Sequence, residues 1–113
     1  MILEEQKLYD LSFLEEIDST NFVSQVIVLY LHDAKRDLLL IEEEIDKDNI
    51  EAVGKTAHKL KSSTGMLQAN RLYAILEKME LACHDENGRG LPEMVLAAKN
   101  EFEVLSEALT KHI

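Results

Sequence analysis

The sequence predicts an all-α chain, an up-down-up-down four-helix bundle preceded by a short N-terminal helix. Three observations carry this. Four long segments repeat apolar residues every three or four positions, the spacing of one buried stripe at 3.6 residues per turn. Breakers are scarce, with 4 Gly and 1 Pro among 113 residues. The connections between stripes are short and polar, which favours antiparallel neighbours within one chain over a coiled-coil oligomer. A hydrophobic fraction of 46% supports a core, and the length suits a single domain over residues 1–113.

The elements follow in order. Leu11 to Ile17 reads as a short first helix, with Ser12 and Glu15 as a capping pair. Asp18 to Asn21 is a break and a new helix start. A long helix from Phe22 to Asp46 carries the stripe Ile27, Leu31, Ala34, Leu38, Ile41 and Ile45. Lys47 to Asn49 forms a turn. The next helix spans Asp48 to Leu67, with Asp48 and Glu51 as a capping box and Ile50, Val53, Ala57, Leu60, Thr64 and Leu67 as its stripe. Gln68 to Asn70 turns the chain into a helix with the stripe Leu72, Leu76, Met79 and Cys83. After the polar loop 85–90, Pro92 suits the first turn of a last helix, whose stripe is Val95, Ala98, Phe102, Leu105 and Leu109.

Charge excludes several functions. The formal net charge is -10, which argues against general nucleic-acid binding and against docking on anionic membranes. No apolar run approaches the roughly 20 residues that span a bilayer. The N-terminus has no basic region of the signal-peptide kind. Cys83 is the one cysteine and reads as a core thiol, consistent with a cytoplasmic, reducing setting. The start at Met1 favours an independent chain over a piece of a sensor kinase, and a monomer is expected.

Against that acidic background, residues 52–76 contain no Asp or Glu but do contain Lys55, Lys59, Lys61 and Arg71. His58 lies within this window. On a helical projection it falls about 125° from the centre of its stripe, outside the core. Its neighbours one turn away include Gly54 and Ser62, with Gly65 two turns on. A glycine within a helix costs about 1 kcal/mol relative to alanine, so Gly54 suggests close approach of another surface. An exposed histidine among small residues and lysines points to an anion site, or to a charged group carried by the histidine itself.

The segment Ala57-His-Lys-Leu-Lys-Ser-Ser-Thr-Gly-Met-Leu-Gln-Ala69 resembles the signature of histidine-containing phosphotransfer (HPt) domains. His58, Leu60, Lys61, Ser63, Leu67, Ala69 and Leu72 match that pattern in order. The stretch Leu76 to Glu80 resembles the family's following L-x-x-x-E, and Tyr9 to Leu14 its usual start. Two positions depart from the pattern: Ser62 and Gln68 each stand where the family has Gly.

The resemblance implies the same bundle and a phosphocarrier role in a multistep two-component phosphorelay. His58 would accept a phosphoryl group from, or return it to, the aspartate of a response-regulator receiver domain. Neutral imidazole is a good nucleophile near pH 7. Lys61 would balance the added charge, and Lys55 and Lys59 would meet the receiver's acidic rim. Partner contact is expected at Gly54, Ser62, Gly65, Phe13, Ile17, Phe22 and Val26. The chain shows no nucleotide loop and no metal-ligand spacing, so it reads as a carrier rather than an enzyme, with Mg²⁺ supplied by the receiver; the partners implied are a response-regulator receiver domain, a hybrid sensor histidine kinase, or both. The competing readings are an HPt-like interaction module that carries no phosphate and a basic face that binds a small anion. A di-metal carboxylate bundle is disfavoured, because no Glu-x-x-His pair is present.

Overall fold

The apolar stripes drive five helices together. The structure, a computed structural model, describes residues 8–17, 20–85 and 87–113; the side chains of residues 17 and 20 lie outside the description. Helix α1 spans Ser12–Ile17, α2 Thr20–Asp46, α3 Ile50–Met66, α4 Asn70–Asp85 and α5 Leu91–Leu109. A 3₁₀ turn, Thr110–His112, ends the chain. Helices α2 to α5 form a closed four-helix ring in which each packs on the next and α5 returns to α2. The all-α bundle agrees with the sequence expectation.

The buried positions largely follow the stripes. Val53, Ala57, Leu60 and Thr64 are buried on α3, and Val95, Ala98, Phe102, Leu105 and Leu109 on α5. The α4 stripe shifts by one residue: Ala82 is buried and Cys83 is half-buried, so Cys83 is a flank thiol rather than a core one. Helix α2 also buries two polar residues that periodicity in apolar residues does not reveal, Tyr30 and Asp37.

Tyr30 reaches Thr64 across the core, its hydroxyl 2.8 Å from Thr64 Oγ1. Burial pushes the Tyr30 phenol up to about 12, opposed by the bond to Thr64. A raised pKa stabilises the fold while the phenol is protonated. This contribution is complete below pH 10, the unfolded value, and is lost as pH rises toward 12. Tyr30→Phe is expected to cost about 1 kcal/mol at neutral pH, by stranding the Thr64 hydroxyl. It should also remove this part of the alkaline loss in a urea-denaturation series.

The helix starts differ from the sequence expectation. Asn49, not Asp48, caps α3, with its side-chain oxygen accepting from the Ala52 N–H. Asp48 instead turns the chain in the left-handed region, φ 58°. For α1 the acceptor is Asp10, which takes hydrogen bonds from the backbone N–H of Ser12 at 2.9 Å and from its hydroxyl at 2.7 Å. Ser12 is thus the first helical residue rather than the cap. Pro92 sits in the first turn of α5 as expected.

The turn between α3 and α4 holds Gln68 at φ 50°, a conformation that favours glycine. This is the position where the HPt pattern has Gly. Gln68→Gly is expected to raise stability by about 0.5–1 kcal/mol, the relief of left-handed strain less the glycine's extra unfolded entropy. The midpoint of urea unfolding checks it. The segment before α1 crosses this turn, because the Asp10 N–H donates to the Leu67 carbonyl at 2.7 Å.

Candidate functional site

His58 lies midway along α3, on the flank that meets α4. Its side chain is 64% exposed. The ring is anchored at one nitrogen: Nδ1 lies 2.7 Å from Oε2 of Glu80 on α4. No hydrogen bond to Nε2 is present among the described residues. The other carboxylate oxygen, Glu80 Oε1, is 2.8 Å from Lys61 Nζ. Lys61 also lies over the Tyr73 ring, 5.6 Å from its centroid. The three side chains form a continuous line, His58–Glu80–Lys61, bridging the two helices.

Partial burial pushes the Glu80 carboxyl up. The contacts from Lys61 and His58 outweigh this and hold it below the ordinary carboxylate value. Glu80 in turn raises the Lys61 ammonium, against a smaller opposing effect of burial. Both groups therefore stay charged across the neutral range. The acid-free window in the sequence is not acid-free in space, because α4 supplies Glu80 to it.

The small residues have a different cause from the one expected. A Cβ on Gly54 would lie 3.3 Å from Cys83 Cβ, and a Cβ on Gly65 3.3 Å from the Tyr73 ring. Both glycines let α4 come close to α3, so the surface approaching them belongs to this chain. Gly54 also lines a hollow of 670 Å³ beside His58, shared with Lys55, Cys83, His84 and Asn87. Burial and the nearby Glu80 charge push the Cys83 thiol up, so it is a poor nucleophile.

The other expected residues separate into groups. Ser62 is exposed one turn after His58, and its hydroxyl donates back to the His58 carbonyl at 3.2 Å, so its profile stays small. Lys55 is 78% exposed and loosely paired with Glu51 at 3.9 Å. Lys59 departs from the rim expectation: its ammonium is 3.3 Å from the buried carboxylate of Asp37 on α2. Its charge serves that acid, together with Arg36 at 3.8 Å. Phe13 is 47% exposed, whereas Phe22 and Val26 are half-buried against the core. The Ile17 side chain lies outside the described residues.

Sequence reasoning had placed Glu80 in the L-x-x-x-E stretch without assigning it a role; that stretch was the available signal. Among the described residues no cluster of three or more His, Cys, Asp or Glu side chains fits a metal ion. No helix among them is long and apolar enough to cross a membrane.

Comparison with known proteins bears on the family and the fold. A pseudo histidine-containing phosphotransfer protein 2 from rice (Oryza sativa subsp. japonica) is 26% identical over 110 residues, covering 96% of this chain and 73% of the relative. The X-ray structure of a rice protein described as a histidine-containing phosphotransfer protein superposes with a TM-score of 0.86. It is 23% identical, and the match covers 97% of this chain and 82% of that one. The Hpt domain model matches residues 25–110, most of the bundle including His58, and the chain therefore belongs to the Hpt domain family.

Proposed function

We propose that this chain is a histidine phosphocarrier of a multistep two-component phosphorelay, with His58 exchanging a phosphoryl group with the aspartate of receiver domains. The observation that carries this is the ring's asymmetry: Nδ1 is held by Glu80 while the ring is 64% exposed. Nε2 then offers its lone pair outward, where in-line attack on a partner's phosphoryl group is sterically open. The bond from phosphorus to the aspartate oxygen breaks as the bond to Nε2 forms. Lys61 adds positive charge close to the ring, and the exposed Lys55 is the cation best able to reach the receiver's acidic rim. Mg²⁺ and the acidic residues that hold it would come from the receiver. Gly54 and Ser62 keep the approach low, and the exposed Phe13 on α1 is a further apolar contact for a partner. Carrier chemistry of this kind needs no nucleotide site in the chain.

The rice relative is named a pseudo histidine-containing phosphotransfer protein, which favours a second reading, an interaction module without phosphate. The exposed, anchored His58 favours the carrier. The test is incubation with a phosphorylated receiver and Mg²⁺, read by intact mass. A gain of one phosphoryl group that is labile in acid and stable in base supports the proposal. A stable complex without any gain, across several receivers, replaces it with the interaction module.

A further inference from the structure

We propose that the face formed by α2 and α5 binds a second copy of this chain, in a weak two-fold dimer that leaves both His58 sites open. In the ring of four helices the seam between α2 and α5 lies opposite the seam between α3 and α4, which carries His58. A groove of 480 Å³ runs along it, with Leu38 and Phe102 among its lining. Leu39 on α2 and Leu96 on α5 stand on its rims, 49% and 59% exposed. Single exposed leucines are ordinary on a protein surface. Here two of them flank one groove, on two different helices.

Charge selects the occupant. The chain carries a formal net charge of -10, so most of its surface repels a copy of itself. The groove is the exception, because Lys35, Lys99 and Glu103 line it together. Lys99 is already committed, 3.0 Å from both carboxylate oxygens of Glu42. Lys35 and Glu103 make no ion pair among the described residues. The groove therefore offers one free cation and one free anion, both exposed. An acidic helix would satisfy the lysine and repel the glutamate, and a basic helix would do the reverse. A surface that presents the same two charges satisfies both.

The helix directions allow that match. Lys99 reaches Glu42, while Lys35 and Glu103 share the groove further along, so α2 and α5 run antiparallel. A two-fold axis parallel to the helices, lying between the copies, sets α2 of each copy across from α5 of the other at unchanged height. Lys35 then faces Glu103 of the second copy, and Leu39 packs near Leu96 of the second copy. Two-fold symmetry makes every such contact twice. Helix α5 has 19 residues and so runs roughly 28 Å. Two helices side by side give a face roughly 20 Å wide and roughly 560 Å² per copy, short of the about 800 Å² per partner of a stable interface. The chain is thus a monomer in dilute solution and pairs as its concentration rises.

Sedimentation equilibrium of the full chain, from about 1 μM to about 1 mM, tests this across the range in which a weak dimer forms. The wild type is expected to rise from the mass of one chain toward that of two. Lys35→Glu sets two pairs of acids against each other, and Glu103→Lys sets two pairs of cations, so each variant alone should associate about tenfold more weakly or worse. Mixed in equal amounts, the two variants restore both opposite-charge pairs, and association should return to the wild-type level. All of the altered side chains are exposed, and circular dichroism checks that the helices persist. Leu96→Asp, which breaks the apolar contact, should associate weakly both alone and in either mixture. A wild type that stays at the mass of one chain up to about 1 mM overturns the proposal. Single variants that pair as well as wild type, or a mixture that fails to recover, place the contact elsewhere and overturn it equally.

Discussion

The His58→Gln variant is expected to take up no phosphoryl group from a phosphorylated receiver, while keeping its fold and its affinity for that receiver. Glutamine has no ring nitrogen with an available lone pair, so the N–P bond cannot form. The position is exposed, and glutamine is at least as good a helix former as histidine, so stability should change by less than about 0.5 kcal/mol. The variant loses one bond to Glu80, but Glu80 keeps Lys61 at 2.8 Å and is not left as a lone charge. Intact mass, urea unfolding and a binding titration run on the same preparation read the three quantities separately. Label on the variant would move the acceptor elsewhere, and His84 in the adjoining hollow would be the next candidate.

Gly54→Leu should damage both the fold and the transfer. The first added carbon already meets Cys83 Cβ at 3.3 Å, and leucine adds three more that press on α4 or fill the hollow beside His58. Overpacking of this kind costs about 1–3 kcal/mol. The gain of about 1 kcal/mol from removing a helical glycine offsets only part of it. The remaining strain is relieved by moving α4 away from α3, and that displacement falls on the 2.7 Å contact between Glu80 and His58. Misplacing a reacting group by about 1 Å can cost on the order of 100-fold in rate. A drop of that size in the initial rate of transfer is expected, with a lower urea midpoint. Gly54→Ala is the control: its Cβ is tight but short, the propensity gain opposes the contact, and stability should stay near wild type. If Gly54→Leu transfers normally, the seam between α3 and α4 does not govern the site.

The contrast between these two residues shows what was legible in the chain. His58 could be read outward from periodicity alone, because the stripe of Val53, Ala57, Leu60 and Thr64 defines an inner face and His58 is not on it. Gly54 was legible as a close approach but not as a contact with α4. The surface that approaches a helical glycine depends on which helix is adjacent and how that helix is rotated. Lys59 illustrates the same limit. It reads as a surface lysine, yet it neutralises Asp37, a buried acid on α2 that interrupts an otherwise apolar pattern. The caps failed for a local reason: Asp48, Asn49, Asp10 and Ser12 are all capable cap residues, and the backbone angles that choose between neighbours are not encoded in residue type alone.

The sequence by itself determined the five helices, their order, the inner stripes and the outward face of His58. Those properties follow from hydrophobic spacing within single helices, and burial of apolar surface enforces them wherever the helices pack. Only the tertiary structure decided that an acid would anchor the histidine. Glu80 lies 22 residues from His58 and on a different helix. A charge pair across a seam is set by axial rotation and by a separation of a few ångströms. Two glycines and the packing of α3 on α4 fix those quantities, and the spacing of apolar residues leaves them open.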